Sequence, residues 1–252
     1  IAGSVMGTYI GMLGGTDPAA KVLFATHLLS ASVMAVPGSI VLAKMLCPQT
    51  EEATDHVAIS GKEKENSNIL DAISSGTVTG VKLMTNIAAM LLVFISLVAL
   101  ANYITEGVIG RYTGLNDWIV KITDGKAQGL TFQFILGVIT SPFMWLIGVP
   151  SQDIMLVGSL LGQKTILNEF VAYFQLQQWK DAGLFMYEKS ILMSTYILCG
   201  FANISSIGIL LGGLGVLAPE KRGLISRIGL PAMIGGALVS VLSATIIGMI
   251  LG

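Results

Sequence analysis

The 252-residue chain is 53% hydrophobic and only 12% charged, with a mean hydropathy of +0.78. A soluble domain carries about 25% charged residues, so half that charge cannot cover a water-facing surface, and the solvent around the chain is largely lipid bilayer. The 14 basic and 15 acidic residues leave a net charge of −1 and form no basic stripe with interleaved aromatics, which argues against a nucleic-acid partner.

Residues 1–46 predict two membrane helices. The first, over 1–15, carries Gly3, Gly7, Gly11 and Gly14 on one helix face, a pattern that lets helices approach closely. Its opening at Ile1, inside an apolar run, reads as a cut through a longer protein. Gly15-Thr16-Asp17-Pro18 is turn chemistry. The second, over 19–46, is charged only at Lys21 and Lys44, where lysines reach the interface, and Pro37 predicts a kink. Residues 47–82 are polar, with Glu51, Glu52, Asp55, Lys62, Glu63, Lys64, Glu65 and Asp71, and predict a loop outside the bilayer with an interfacial helix over 69–82. A third span is expected over 83–106, the membrane part of a long helix covering 83–113. The region 114–150 reads as a polar loop followed by an apolar stretch broken by Pro142 and Gly148; the pattern leaves open whether that stretch spans the bilayer or lies obliquely at its surface.

Residues 151–178 depart from this pattern. Two short apolar helices, over 153–162 and 170–176, flank Lys164, Asn168 and Glu169, and neither reaches the roughly 20 residues a span requires. The expectation is a re-entrant helical hairpin, whose non-helical tip survives at depth only inside protein or against a cavity. Residues 190–218 carry no charge, yet hold Phe201, Asn203, Ser205 and Ser206 and the glycine run Gly212, Gly213 and Gly215, which predicts an interrupted membrane helix. The last membrane helix occupies 226–252, its apolar span running from about Ile228 to Leu251, with Lys221, Arg222 and Arg227 before that span. That basic loop belongs on the cytoplasmic side by the positive-inside rule, with the C-terminus outside.

Two polar clusters stand out. A carboxylate at bilayer depth is costly, so Glu169 with Asn168 calls for a wet cavity and a partner, unless the tip reaches an aqueous surface. Asn203 and Ser206 share a helix face and present acceptors and an amide donor to a polar ligand, or else they are hydrogen-bonding glue between helices. Lys164 reads as a snorkelling or capping residue, and His27 as a satisfied interior histidine rather than a proton relay. Cys47 and Cys199 read as small buried hydrophobes. No metalloprotease, nucleophile-elbow or phosphate-loop motif is present, and with two distant histidines no enzyme centre is expected.

The stretches GSLLGQKTILNEFVAY at 158–173 and CGFANISSIGI at 199–209 resemble the second re-entrant hairpin and the following interrupted helix of the concentrative nucleoside transporters, bacterial NupC-like members included. SASVMAVP at 30–37 and GLISR at 223–227 fit the same family, and the resemblance covers nearly the whole chain. It implies an all-α integral membrane protein of the inner membrane, the C-terminal half of an inverted-repeat transporter. It further implies a homotrimer of elevator-like protomers and cation-coupled symport of nucleosides, with Na⁺ as the expected ion and a proton or a passive channel as alternatives. By position, Glu169 then corresponds to a carboxylate binding ribose hydroxyls, with Asn203, Ser206 and Asn168 around it and Phe201 packing beside the nucleoside. Ser4 and Val5 correspond to sodium-site positions, with Thr8 or Tyr9 near the base. The first hairpin, which contacts the base and supplies most sodium ligands, is expected before Ile1.

Overall fold

The computed structural model describes residues 3–48, 68–123, 125, 127–204, 206–208 and 219–252. Among them the fold is helical throughout. The expected acidic and basic loop over 51–65, Ser205, and the glycine run at 212–215 lie outside the described residues.

Helix α1 (Gly3–Gly14) is 12 residues long. Its chain turns at Gly15, whose φ of +54° is the left-handed conformation that glycine adopts without penalty. Helix α2 (Pro18–Leu46) starts where the Asp17 carboxylate accepts from the amides of Ala19 and Ala20, with Pro18 in the first turn where its missing N–H costs nothing. It runs through Pro37 as one 29-residue helix.

Helix α3 (Ile69–Asn102) begins at Asn68, whose side chain accepts from the Asp71 amide. At 34 residues it is about 50 Å long. It continues through a π-helical segment, Tyr103–Gly110, into a last turn, Arg111–Thr113. The boundary expected between an interfacial helix ending at 82 and a span starting at 83 is therefore missing: the polar residues of the first turns sit on the same helix as the apolar ones. Helix α4 (Leu115–Ile122) follows. Asn116 then ties the chain back, donating to the Glu106 carbonyl and accepting from the Leu130 amide.

The remaining helices are mostly short: α5 (Phe132–Leu146), α6 (Ile154–Ile166), α7 (Glu169–Asp181) and α8 (Glu188–Leu198), before the 29-residue α9 (Arg222–Ile250). Of the described helices, α2 and α9 are long and apolar enough to cross a membrane. Helices α6 and α7, 13 residues each, form a helical hairpin whose turn is Leu167 and Asn168. Each is about 20 Å long by the α-helical rise, too short to cross a hydrocarbon core of about 30 Å.

The core lies where α1, α2, α6, α7 and α8 converge. Leu13, Leu28, Leu160, Tyr173, Met193 and Ile197 are fully enclosed there, and α9 covers this cluster through α2 and α8. Most of α2 and the described face of α3 are apolar and exposed, as befits helices that meet lipid or other protein. The sequence reading of both cysteines as buried holds for Cys199, whereas Cys47 is exposed because it caps α2 beyond the packed body.

Helix α5 lies against α6 through glycines. A Cβ on Gly162 would fall 2.5 Å from the Leu136 Cβ, and one on Gly158 would fall 3.1 Å from the Gly137 carbonyl. Gly158 and Gly162 are spaced as in the small-residue motif by which membrane helices pack where no hydrophobic effect drives them together. Gly162→Val should lower the stability of the intact protein by about 1–3 kcal/mol through overpacking. Gly80→Ala, at a position inside α3 with open space around it, should not lower it, since alanine favours a helix over glycine. Denaturation of both variants in detergent measures the difference, and equal midpoints would show that the α5–α6 contact is loose.

Candidate functional site

The hairpin tip and the break after α8 meet. Asn168 caps α7 by accepting from the Val171 amide at 2.9 Å, which places Glu169 in the first turn of the helix. A carboxylate there is favoured by the free amides and the positive end of the helix dipole. Glu169 is nonetheless only 5% exposed. Its Oε2 accepts from Nδ2 of Asn203 at 3.1 Å, and Asn203 is itself buried.

The orientation of Asn203 follows from a local ring of bonds. Its Oδ1 accepts from the Ser206 amide at 2.7 Å, while the Ser206 Oγ accepts from the Asn203 amide at 3.3 Å. The Ser206 hydroxyl also donates to the Asn203 carbonyl at 2.6 Å. This reciprocal pairing over three residues is a capping box, and it starts the next helical turn, which includes Ile204, Ser206, Ile207 and Gly208. With Oδ1 committed to the backbone, the amide nitrogen is the group left to face Glu169. Ser206 thus acts on Asn203 and has no direct bond to the carboxylate.

Helix α8 ends at Leu198, and its last four carbonyls would be orphaned there. All four find donors. The Cys199 amide donates to Tyr196 and the Gly200 amide to Leu198. The Tyr173 hydroxyl donates to Thr195 at 2.8 Å and the Lys164 ammonium to Ile197 at 2.7 Å. Two of the four donors are therefore side chains of the hairpin. Lys164 is fully buried and also donates to Ser240 at 3.0 Å. The snorkelling alternative for Lys164 is overturned, because its head points inward to another helix's end, while the capping alternative stands.

Tyr9 adds a third wall from α1. Its ring stacks on Tyr173 with centroids 4.1 Å apart, and its hydroxyl neighbours the Glu169 carboxylate. The resemblance offers Thr8 or Tyr9 near the base, but no local pattern joins Tyr9 to Glu169, 160 positions away. Tyr173 is equally silent in the sequence. His27 has a partner, with Nδ1 3.1 Å from the Tyr196 hydroxyl, in keeping with a satisfied interior histidine.

The other expected residues lie as follows. Phe201 stands in the break, 48% exposed. It lines a cavity of about 390 Å³ together with Ala35, Val36, Gly200, Ser206 and Ser240. Ser4 and Val5 lie in the first turn of α1, with the Ser4 carbonyl accepting from the Thr8 hydroxyl at 3.2 Å. Among the described residues no cluster of three His, Cys, Asp or Glu side chains could hold a metal ion. What the arrangement offers is a buried carboxylate that accepts from the Asn203 amide, with the Tyr9 hydroxyl beside it and a half-exposed aromatic nearby. Such a carboxylate accepts hydroxyl protons in charge-assisted bonds.

The family described as "Na+ dependent nucleoside transporter C-terminus" matches residues 27–248. An "Uncharacterized transporter" of Haemophilus influenzae is 39% identical over 255 residues, covering 100% of this chain and 56% of that protein. "Sodium/nucleoside cotransporter 1" of Rattus norvegicus is 38% identical, covering 99% of this chain and 37% of that protein. "Nucleoside permease NupC" of Helicobacter pylori is 36% identical, covering 90% and 51%. The solved structure of CNTnw in an inward-facing substrate-bound state superposes with a TM-score of 0.77 at 34% identity, covering 100% of this chain and 55% of that one. The chain thus spans about half the length of the relatives it matches, or less.

Asn203→Ala in the intact protein should cost about 1–3 kcal/mol, because it strips a donor from a buried charged acceptor. Combined with Glu169→Gln, a double-mutant cycle in detergent should return a coupling of about 0.5–3 kcal/mol. Additive effects would mean that the two side chains do not communicate.

Proposed function

This chain belongs to the Na⁺-dependent nucleoside transporter family, as its C-terminal part, and we propose that the complete protein is a cation-coupled nucleoside symporter in which Glu169 grips the ribose. The observation that carries this reading is the Asn203–Glu169 bond at 3.1 Å, made where the hairpin tip meets the break after α8. A vicinal diol presents two hydroxyl donors, and a carboxylate with one oxygen engaged by an amide keeps lone pairs for both. Asn203 spends its Nδ2 on the acid and one Oδ1 lone pair on its capping bond, so it orients the acid, and Ser206 orients Asn203. Phe201, already half exposed at a cavity, offers a flat apolar surface to the nucleoside, and Asn168 holds the tip in its turn.

Sodium is the coupling ion in this reading, as the names of the family and of its mammalian relatives suggest. Ser4 and Val5, in the first turn of α1, border its site, and the rest of that site comes from chain outside these 252 residues. Helices α1, α6, α7 and α8 share one core and move as a unit. The long exposed α3 belongs to the stationary scaffold, through which three protomers associate in the inner membrane. Binding at the junction of broken helices fits the general design of secondary transporters, whose sites lie near the membrane midplane.

Uptake in cells expressing the complete protein tests the reading. Glu169→Gln should reduce nucleoside accumulation to near background while leaving the amount of membrane-inserted protein unchanged. Wild-type accumulation in that variant would reject the ribose role. Replacing external sodium by choline at fixed pH should abolish accumulation against a gradient; unchanged accumulation would reject sodium as the coupling ion.

A further inference from the structure

The charges of the hairpin helix α6 bracket α8. At its start, the buried Asp153 carboxylate accepts from the Met186 amide at 3.0 and 3.2 Å and from the Tyr187 amide at 3.1 Å. These amides immediately precede α8. Near its end, Lys164 donates to Ile197 in the last turn of α8. The two helices therefore run in the same direction, with an acid at the N-terminus of α8 and a base at its C-terminus, each matched to the helix dipole. Eleven residues separate the two clamps, about 16 Å of helix.

The two ends differ in what lies beyond them. The Asp153 end leads into a loop. The Lys164 end opens onto the break that carries Asn203. Lys164 abuts that break, since a Cβ on Gly200 would lie 3.6 Å from its ammonium and 2.8 Å from the Ser240 hydroxyl. Among the described residues the ion pair within 4.0 Å is Lys180–Asp181, so Lys164 is not a direct partner of Glu169 and acts on it through the backbone. Broken-helix transporters hold a mobile cation at such carbonyl ends; here an ammonium on a side chain occupies that position.

We propose that Lys164 is a positioning residue of the ribose site: a tethered cation that, braced by Ser240, closes the carbonyl end of α8 and holds the break so that Asn203 reaches Glu169. The proposal rests on the ribose reading above. Without the ammonium, the Ile197 carbonyl loses its donor and the 199–203 segment loses its anchor. Asn203 then no longer aligns Glu169 for the sugar hydroxyls. Binding of a sugar that lacks those hydroxyls does not depend on this alignment.

The test is titration calorimetry on the full-length transporter in detergent. The probes are uridine or adenosine, whichever the wild type binds more tightly, and its 2′,3′-dideoxy counterpart. Lys164→Met should weaken ribonucleoside binding on the order of tenfold, the scale of a lost bond to a charged group, and leave dideoxynucleoside binding unchanged. Ser240→Ala should move the affinity ratio in the same direction by less, and it decides alone should Lys164→Met fail to fold. Asp153→Asn, at the distal clamp, should lower the unfolding midpoint without altering the ratio. Equal weakening of both probes by Lys164→Met, or the same loss of discrimination in Asp153→Asn, overturns the proposal. Glu169→Gln separates the two readings. If it weakens the ribonucleoside selectively while Lys164→Met and Ser240→Ala do not, only the role of Lys164 falls. If Glu169→Gln itself shows no selectivity, the ribose reading falls and the positioning role with it.

Discussion

A helix that stops inside a packed protein body exposes carbonyls that no water can satisfy, and each costs several kcal/mol if left bare. The end of α8 is such a place, and its neighbours follow from the solution to it. Local turns supply two donors, and the hairpin supplies the other two through Tyr173 and Lys164. Because those side chains come from α7 and α6, the hairpin cannot shift relative to α8 without stranding buried polar groups. The break and the hairpin tip are thereby one rigid body.

That rigidity is what makes a buried carboxylate tolerable. Glu169 starts α7 at the positive end of its dipole, receives the Asn203 amide, and has the buried Lys164 charge nearby. The capping box at 203–206 serves two ends at once. It begins a new helical turn after the break, and it turns the Asn203 amide toward the acid. The short lengths of α6, α7 and α8 belong to the same arrangement, since helices that end inside the packed body bring their termini, and the polar groups gathered there, into the interior.

The periphery is built on a different principle. Helices α5 and α6 approach through Gly137, Gly158 and Gly162, where close backbone contact substitutes for a hydrophobic drive that lipid does not provide. Helix α3 and most of α2 present apolar side chains outward, which suits a lipid or protein surrounding. Polar precision is concentrated at the breaks, and van der Waals contact holds the rest.

Composition and hydropathy were enough to establish a helical membrane protein, because charge content and apolar run length report directly on the solvent. The short apolar pieces around Asn168 and Glu169 and the uncharged polar cluster at Phe201, Asn203 and Ser206 were likewise legible, since a run too short to span and a polar group where none is expected are local signals. The continuity of α3 from the helix expected over 69–82 into the span expected from 83 was not, because a helix can carry polar first turns without breaking. Nor were the contacts that join Tyr9 to Glu169 and Tyr173, or Tyr173 and Lys164 to the end of α8. A tyrosine in α1 and a lysine one helix away look like packing or interface residues in any window of sequence. Only the convergence of four helices supplies the unpaired carbonyls and the carboxylate that give them a task, and long-range proximity of that kind leaves no periodic trace in the chain.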